Sequence, residues 1–323
     1  MPGQQRPKRP DQRGTVAVLT AAGLLLLLGL AGLGVDLGHL YVVKSELQRA
    51  ADAGAAAGVR ALFPYPASRA TLPLTPDCGA ALAQGRSICQ ANLVEGDGAM
   101  VANIQTGFWD WQTTRFSPGC AASPFSNTVT LTTRKDDIPL TVIGALGLGP
   151  FSLQATAIAV MDWVGKLEQG AGFVLAIGKK YAQAGEVYIN LNPDPLDAGG
   201  WYTKAPQKPN ASTLKGYLNN PATIPAVQQG DMINISNGAL TSVLSSLAAN
   251  WIGKTMWLPV VDTEKFNQSA PVMGFTSFTI TEVNTKGHKY IRGTALPLGD
   301  VPEKLSAPGG ANFGLLSAPR IVH

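Results

Sequence analysis

An uninterrupted apolar run near the N-terminus constrains this chain more than any other feature. The 21 residues at positions 15–35 carry no charge, and about 20 apolar residues are needed to cross roughly 30 Å of hydrocarbon as a helix. The run continues without a break into an alanine-rich segment that reaches residue 62. The sequence therefore predicts a transmembrane helix over residues 14–36 that extends beyond the bilayer as a long amphipathic helix.

Basic residues precede this run, against the single acid Asp11; they are Arg6, Lys8, Arg9 and Arg13. Since basic flanks of a first span remain in the cytoplasm, we expect a cytoplasmic tail over residues 1–13 and an outer C-terminus. A cleaved signal peptide is the alternative, but its apolar region is typically about 7–15 residues long and ends at a small-x-small site. Bulky residues follow the longer run found here, which favours a retained single-pass anchor in the cytoplasmic (inner) membrane.

Charge and cysteine content indicate which partners and which compartment are expected for this protein. The net charge of +4 resides mostly in the N-terminal tail, so it indicates no nucleic-acid surface. Cys78, Cys89 and Cys120 all follow the span and would therefore lie in an oxidising compartment, where disulfides persist. Cys78 and Cys89 enclose ten residues and could close a small loop, although the sequence permits any pairing. No histidine lies near them, so a zinc site is not expected.

Two features of the long helix suggest contacts with other groups. A stripe of residues spaced by three and four begins with large side chains and ends with alanine and glycine, which allow another backbone to approach closely. Gly54, Ala57 and Gly58 are therefore candidates for contact with a sheet of the same chain or with a neighbouring helix. Asp36, at the outer end of the span, is expected to be solvated at the interface or to contact a cationic partner.

Three segments of this region together form a specific motif. They are Arg13-Gly14-Thr15-Val16-Ala17-Val18, Gly29-Leu30-Ala31-Gly32-Leu33-Gly34-Val35-Asp36-Leu37-Gly38 and Glu46-Leu47-Gln48-Arg49-Ala50-Ala51-Asp52-Ala53. The combination resembles the N-terminal motif of the TadE/TadG-like proteins of the Flp (tight-adherence) pilus-assembly system of bacteria. Later features are also similar to that family, including the apolar stretch at 139–148, so the resemblance reaches about residue 162.

The resemblance implies a pilin-like unit that contacts other pilus-assembly or secretion subunits. Relatives cut by a prepilin peptidase carry glutamate five residues after the cleaved glycine. If Gly14 were the cut site, Leu19 would occupy that position, so we expect an uncleaved anchor similar to the TadG branch. The sequence also lacks the Asp-x-Ser-x-Ser metal motif of the von Willebrand A-like domain found in that branch, so no metal or other cofactor is expected.

Alternation and turn signals divide the outer part of the chain into two units. Strand patterns near residues 100–111, 128–133 and 152–161 predict a small antiparallel sheet on the long helix, which makes residues 37–162 one α+β unit. Glycines and an Asn-Pro-Asp-Pro turn suggest a linker region over 163–198. A helix at 239–251 and strands near 255–261, 272–283 and 290–296 then predict a second, β-rich domain over residues 199–323.

Catalytic and nucleotide-binding patterns receive little support. Residues 248–255 fit only the loosest phosphate-loop pattern, with bulky Trp251 and Ile252 inside it, and are better interpreted as a helix C-terminus. A thiol–imidazole pair of Cys120 and His288 is conceivable, but a structural or disulfide-bonded cysteine is the simpler expectation. We therefore expect a non-enzymatic assembly component without a nucleotide. The alternatives are an anchored ligand-binding domain on a pilin-like stalk and a membrane-tethered hydrolase.

Overall fold

The computed structural model describes residues 13–63, 75–121, 126–182, 185–191, 197–296 and 299–322. These residues form one long α-helix, four shorter α-helices and five sheets, which confirms the predicted α+β class. Arg6, Lys8 and Arg9 lie outside the described residues, and Arg13 is the first residue of the long helix.

The elements fall into a first unit, up to residue 160, and a second unit after it. Those of the first unit, in chain order, are α1 (Arg13–Ala61), α2 (Cys78–Ala91), β1 (Leu93–Val94), β2 (Asp97–Gly98), β3 (Met100–Asp110), β4 (Arg115–Pro118), β5 (Thr128–Ile138), α3 (Val142–Ala145) and β6 (Phe151–Val160). Those that follow are β7 (Val164–Leu167), β8 (Leu175–Gly178), β9 (Gly185–Asn190), β10 (Gly199–Lys204), α4 (Ala211–Asn219), β11 (Val227–Gln228), β12 (Met232–Ser236), α5 (Thr241–Asn250), β13 (Thr255–Val261), β14 (Ser269–Asn284), β15 (Tyr290–Leu296), β16 (Gly299–Val301), β17 (Ser306–Pro308), β18 (Leu315–Ser317) and β19 (Arg320–Val322).

Helix α1 changes character along its 49 residues. At about 1.5 Å per residue it is roughly 74 Å long. Its apolar first half is uncovered by the rest of the chain as far as the five leucines at 24–28, which are all exposed. In its second half, Val43, Leu47, Ala50 and Val59 are fully buried. The helix is therefore long and apolar enough to cross a membrane, and its other half forms the core of the first unit.

A five-stranded antiparallel sheet packs against the buried half of α1, in the order β19-β6-β5-β3-β4. On β5, Val129 and Leu131 are fully buried, whereas Thr130 and Thr132 are only half-buried. This is the alternation expected of a strand with one covered face. Helix α2 packs beside α1 and β3. The predicted packing of a small sheet on the long helix is thus confirmed.

The second unit is built on a seven-stranded sheet in the order β12-β10-β8-β13-β14-β15-β9. Strands β8 and β13 pair in parallel, and the other neighbours pair antiparallel. Helix α5 buries Val243, Leu244 and Leu247 in the core of this unit. The predicted helix and the three predicted strands of this domain are all present, with ends that differ by a few residues.

The region at 163–198, for which the sequence suggests a linker, supplies three strands. Strand β7 belongs to a three-stranded sheet, and β8 and β9 belong to the seven-stranded sheet. All four residues of β8 are buried. A strand covered on both faces has a continuous apolar run without alternation. The sequence of β8 therefore lacks the alternating pattern of a strand, and the nearby glycines favoured a linker instead. The turn predicted at 192–195 lies outside the described residues.

The chain returns to the first unit after completing the second. Strand β19 pairs with β6, with Ile321 opposite Ala159. Nearby, Trp163 is fully buried and its ring centroid lies 5.2 Å from that of Phe63 at the end of α1. The predicted boundary, which assigns residues 199–323 to one separate domain, therefore does not describe the packing of β19.

Candidate functional site

The most distinctive polar site in the first unit lies where the exposed half of α1 meets the folded unit. We call it the exit site and define it as Asp36 together with Gly32 and helix α3. The Asp36 side chain is only 1% exposed. Its carboxylate accepts hydrogen bonds from three consecutive backbone N–H groups, those of Thr141 (2.7 Å), Val142 (2.9 Å) and Ile143 (2.8 Å).

The three donors are the N–H groups at the start of α3, which have no partner inside a helix. A carboxylate at this position also interacts favourably with the positive end of the helix dipole. Asp36 is therefore neither solvated nor free to bind a cationic partner, which differs from both expectations from the sequence. The reason is that the connection between β5 and β6 folds back onto α1 and supplies three hydrogen-bond donors.

Gly32 completes the site one helical turn before Asp36. A β-carbon on Gly32 would overlap the Val142 side chain, so only glycine lets the start of α3 lie against α1 at this level. Together, a glycine and an aspartate spaced by four residues position one short segment. The sequence signal that could have revealed this contact is the uncharged stretch at 138–161, which includes α3.

Charged side chains appear immediately beyond the exit site. Nε2 of His39 lies 2.7 Å from Oε1 of Glu95, and Nζ of Lys135 lies 3.6 Å from Oε2 of Glu95 and 3.2 Å from Oδ2 of Asp97. The hydrogen bond from Lys135 to Asp97 raises the pKa of the lysine, assisted by the charges of Asp97 and Glu95. A network of charges thus begins about one turn after Asp36 and marks the change from apolar to polar surface.

The small residues of α1 contact the same chain. A β-carbon on Gly54 would lie 2.9 Å from the carbonyl oxygen of Gly85 in α2 and 2.7 Å from Cδ1 of Leu131 in β5. One on Gly58 would lie 3.4 Å from Cα of Gly85. Both glycines are buried, whereas Ala57 is half-buried. Gly54 and Gly58 are therefore unavailable to another protein, because α2 and the sheet already occupy that face.

Comparison with protein families identifies the first unit. Residues 14–61 match the Flp pilus-assembly TadE/G-like family, and residues 45–159 match the Tad-like Flp pilus-assembly family. The first unit belongs to the TadE/TadG-like family. The two matches together span residues 14–159, which indicates a role in Flp pilus assembly. No curated protein and no solved structure matches the chain.

The disulfide of the TadE/TadG-like unit joins Cys78 to Cys120, with Cα atoms 6.2 Å apart. Of the pairings that the sequence leaves open, the bond is therefore not the one between Cys78 and Cys89. Both residues lie on α2, eleven positions apart, which separates them by about 16 Å along the helix axis. A disulfide requires Cα atoms within about 7 Å. Cys89 is instead a buried free thiol, and burial raises its pKa to about 11.

The chemical alternatives suggested by the sequence do not form sites. Cys120 is held in the disulfide, so it cannot act as a thiol with His288. Helix α5 ends at Asn250, and β13 begins at Thr255, so residues 248–255 end a helix rather than open one around phosphate. Within the described ranges, no cluster of three or more His, Cys, Asp or Glu side chains is arranged to hold a metal ion.

Proposed function

We propose that this TadE/TadG-like protein is a membrane-anchored, non-enzymatic component of Flp pilus assembly that acts through protein–protein contacts outside the cytoplasmic membrane. The observation that carries the proposal is the continuity of α1. One helix provides both the uncovered apolar segment and the core of the family-matched unit. Because the helix has no break, a bilayer that holds its first half also holds the folded unit at the membrane surface.

Two observations support an orientation with the N-terminus inside and the C-terminus outside. Basic residues precede the span, and such flanks remain on the cytoplasmic side. The Cys78–Cys120 disulfide lies in the unit that follows the span, and disulfides persist in oxidising compartments. Both therefore favour placing the two folded units outside the cytoplasm.

The proposed contact surface is the part of α1 just beyond Asp36 that the chain leaves uncovered. Tyr41 is 76% exposed, and Leu37, four residues before it on the same face, is also exposed. Large apolar side chains at this position, next to the bilayer, suit a helix of another assembly subunit. The state of the thiols disfavours cysteine catalysis, since Cys78 and Cys120 are disulfide-bonded and buried Cys89, with a pKa raised to about 11, is a poor nucleophile.

Site-specific crosslinking in native membranes tests this proposal. A photoreactive residue replaces Tyr41 in the tagged full chain, and the matched control carries it at Lys215, an exposed position on α4 of the second unit. We expect crosslinks to other pilus-assembly subunits from Tyr41, and an intact mass that shows an uncut N-terminus.

The outcomes separate the parts of the proposal. Crosslinks from position 215 alone would move the contact surface to the second unit and retain the assembly role. No crosslinked assembly subunit from either position would refute the protein–protein role. Release of the chain from membranes by alkaline carbonate would refute the anchor.

A further inference from the structure

We propose that the β5–β6 loop, residues 139–150, is a second membrane-contact site that inserts its apolar side chains into the outer leaflet beside α1. The proposal rests on the membrane anchoring proposed above and assigns a lipid ligand to a segment beyond the span. The loop has α3 at its centre and is attached to α1 through the exit site.

The depth of the loop follows from its contacts with α1. Val142 packs against Gly32, and Gly32 lies four residues before Asp36, which is about 6 Å further into the span at 1.5 Å per residue. All residues of α1 from 15 to 35 are uncharged. A segment that touches Gly32 therefore lies beside the part of the helix that the bilayer covers. Interfacial segments typically insert their apolar side chains about 5–10 Å into the boundary of headgroups and acyl chains.

The composition of the loop suits a lipid environment. Residues 138–161 contain no Asp, Glu, Lys, Arg or His. Leu146 is 72% exposed and Leu148 is 59% exposed, and Phe151 just after the loop is also exposed. Large apolar side chains exposed together on one short segment favour an interaction site. Because it adjoins the span itself, the same bilayer that surrounds α1 can cover it.

The hydrogen bonding of the loop gives several of its backbone N–H groups partners within the protein, which lowers the cost of entering lipid. The Asp36 carboxylate accepts the N–H groups of Thr141, Val142 and Ile143. The next backbone donors are satisfied within the turn, since N–H of Leu146 bonds to the Val142 carbonyl oxygen and N–H of Leu148 bonds to that of Ile143. Asp36 thus allows the β5–β6 loop to enter the leaflet, because it pairs the backbone N–H groups at the start of α3.

The charged residues of β5 end where the loop begins. Asp136 and Asp137 precede it on β5, and Lys135 extends to Glu95. Residues 135–137 lie on β5 just before Ile138, and the loop begins just after Ile138. Because Glu95 contacts both Lys135 and His39, the change from charged to apolar residues along β5 occurs near the level of His39, about one turn beyond Asp36. Helix α1 and strand β5 thus both change from charged to apolar residues at a similar distance along α1, which is where we place the boundary of the bilayer.

A depth measurement on the full chain tests this inference. A single cysteine carrying an environment-sensitive dye replaces Leu146, and the protein is reconstituted in phosphatidylcholine vesicles with either nitroxide-labelled lipid or aqueous iodide as the quencher. Leu26 within the span is the lipid control, and Ile252, an exposed apolar residue of the second unit, is the aqueous control. Cys89 is buried and the other two cysteines are bonded, so the dye reports the introduced site.

We expect nitroxide-labelled lipid to quench the dye at position 146, as it quenches the dye at position 26, and not the dye at position 252. Iodide should quench it about five-fold less than the dye at position 252, because headgroups shield it from the aqueous ion. Quenching by iodide equal to that at position 252 would overturn the inference while leaving the anchor intact. Protection from both quenchers would also overturn it, since protein rather than lipid would then cover the loop. Failure of the position-26 dye to meet lipid would refute the anchor and, with it, this inference.

Discussion

Replacing Gly54 with alanine tests the close contact between α1, α2 and the sheet. The new β-carbon would lie 2.7 Å from Cδ1 of Leu131, 2.8 Å from Cβ of Cys89 and 2.9 Å from the carbonyl oxygen of Gly85. Ordinary contacts begin at 3.4 Å, so α2 would have to move by roughly half an ångström. Because two of the three atoms are fixed by the backbone of α2, rotation of a side chain cannot relieve the overlap.

The expected magnitude combines two opposing effects on the free energy of unfolding. Overpacking of a core typically costs about 1–3 kcal/mol, whereas replacing glycine by alanine within a helix contributes up to about 1 kcal/mol of stability. Gly79→Ala on α2 is the matched control, because its β-carbon would meet only Oδ1 of Asp77 at 3.4 Å. We therefore expect Gly54→Ala to be less stable than Gly79→Ala by about 1–3 kcal/mol.

The assay is urea unfolding of the full chain in detergent, followed by the fluorescence of the buried tryptophans Trp109 and Trp163. The oxidation state of the disulfide must be the same in both variants. Equal midpoints for Gly54→Ala and Gly79→Ala would show that α1 and α2 do not approach each other as closely as described, and the reasoning about the glycine face would be wrong.

Three further predictions concern the disulfide, the buried carboxyl group of Asp162 between the two units, and the exit site. Replacing both Cys78 and Cys120 with serine should cost about 4 kcal/mol of unfolding free energy, given the separation of 42 residues; urea unfolding measures the loss, with Cys89→Ser as the single-thiol control. Burial raises the pKa of Asp162, so the folded chain retains this proton at a pH where the unfolded chain has lost it. The stability of the wild type relative to Asp162→Asn should therefore fall as pH rises above about 4, the ordinary pKa of an aspartate, measured by urea unfolding. Asp36→Ala removes the acceptor of three backbone donors and should cost about 2–4 kcal/mol, with faster proteolysis within residues 139–150.

Each of these predictions has a distinct contrary result. If the double serine variant unfolds at the same urea concentration as the oxidised wild type, the disulfide contributes nothing to stability. A stability difference for Asp162→Asn that is independent of pH, or that grows in favour of the wild type as pH rises, would contradict the raised pKa. Unchanged proteolysis in Asp36→Ala would show that the carboxylate does not hold the β5–β6 loop.

The elements with strong local patterns were predictable, and those defined by distant partners were not. The apolar run and the alternating strands predicted α1 and β5 because periodicity reflects which face is covered. The partner of Asp36 was not accessible in this way, since Thr141 lies 105 residues further along the chain. The sequence likewise permitted every cysteine pairing, and the choice depended on α2 separating Cys78 from Cys89 by three helical turns.

The contacts of the small residues of α1 and of the stretch at 139–148 also depend on distant parts of the chain. Gly54 and Gly58 lie where α2 approaches α1 closely, but spacing alone cannot tell a neighbouring protein from a helix of the same chain. Sequence reasoning associated the stretch at 139–148 with the family without assigning it a position. Only the fold brings that stretch back to Gly32, more than 100 residues earlier.

The return of β19 to the first sheet has a consequence for biogenesis. The TadE/TadG-like sheet contains strands that are synthesised early, yet the edge of β6 is paired by residues 320–322, which follow the whole second unit. Until translation has passed these residues, the β6 edge stays unpaired, and unpaired edges are templates for association with other chains. The first unit to emerge is therefore among the last to be completed, and the growing chain must keep one edge protected throughout that interval.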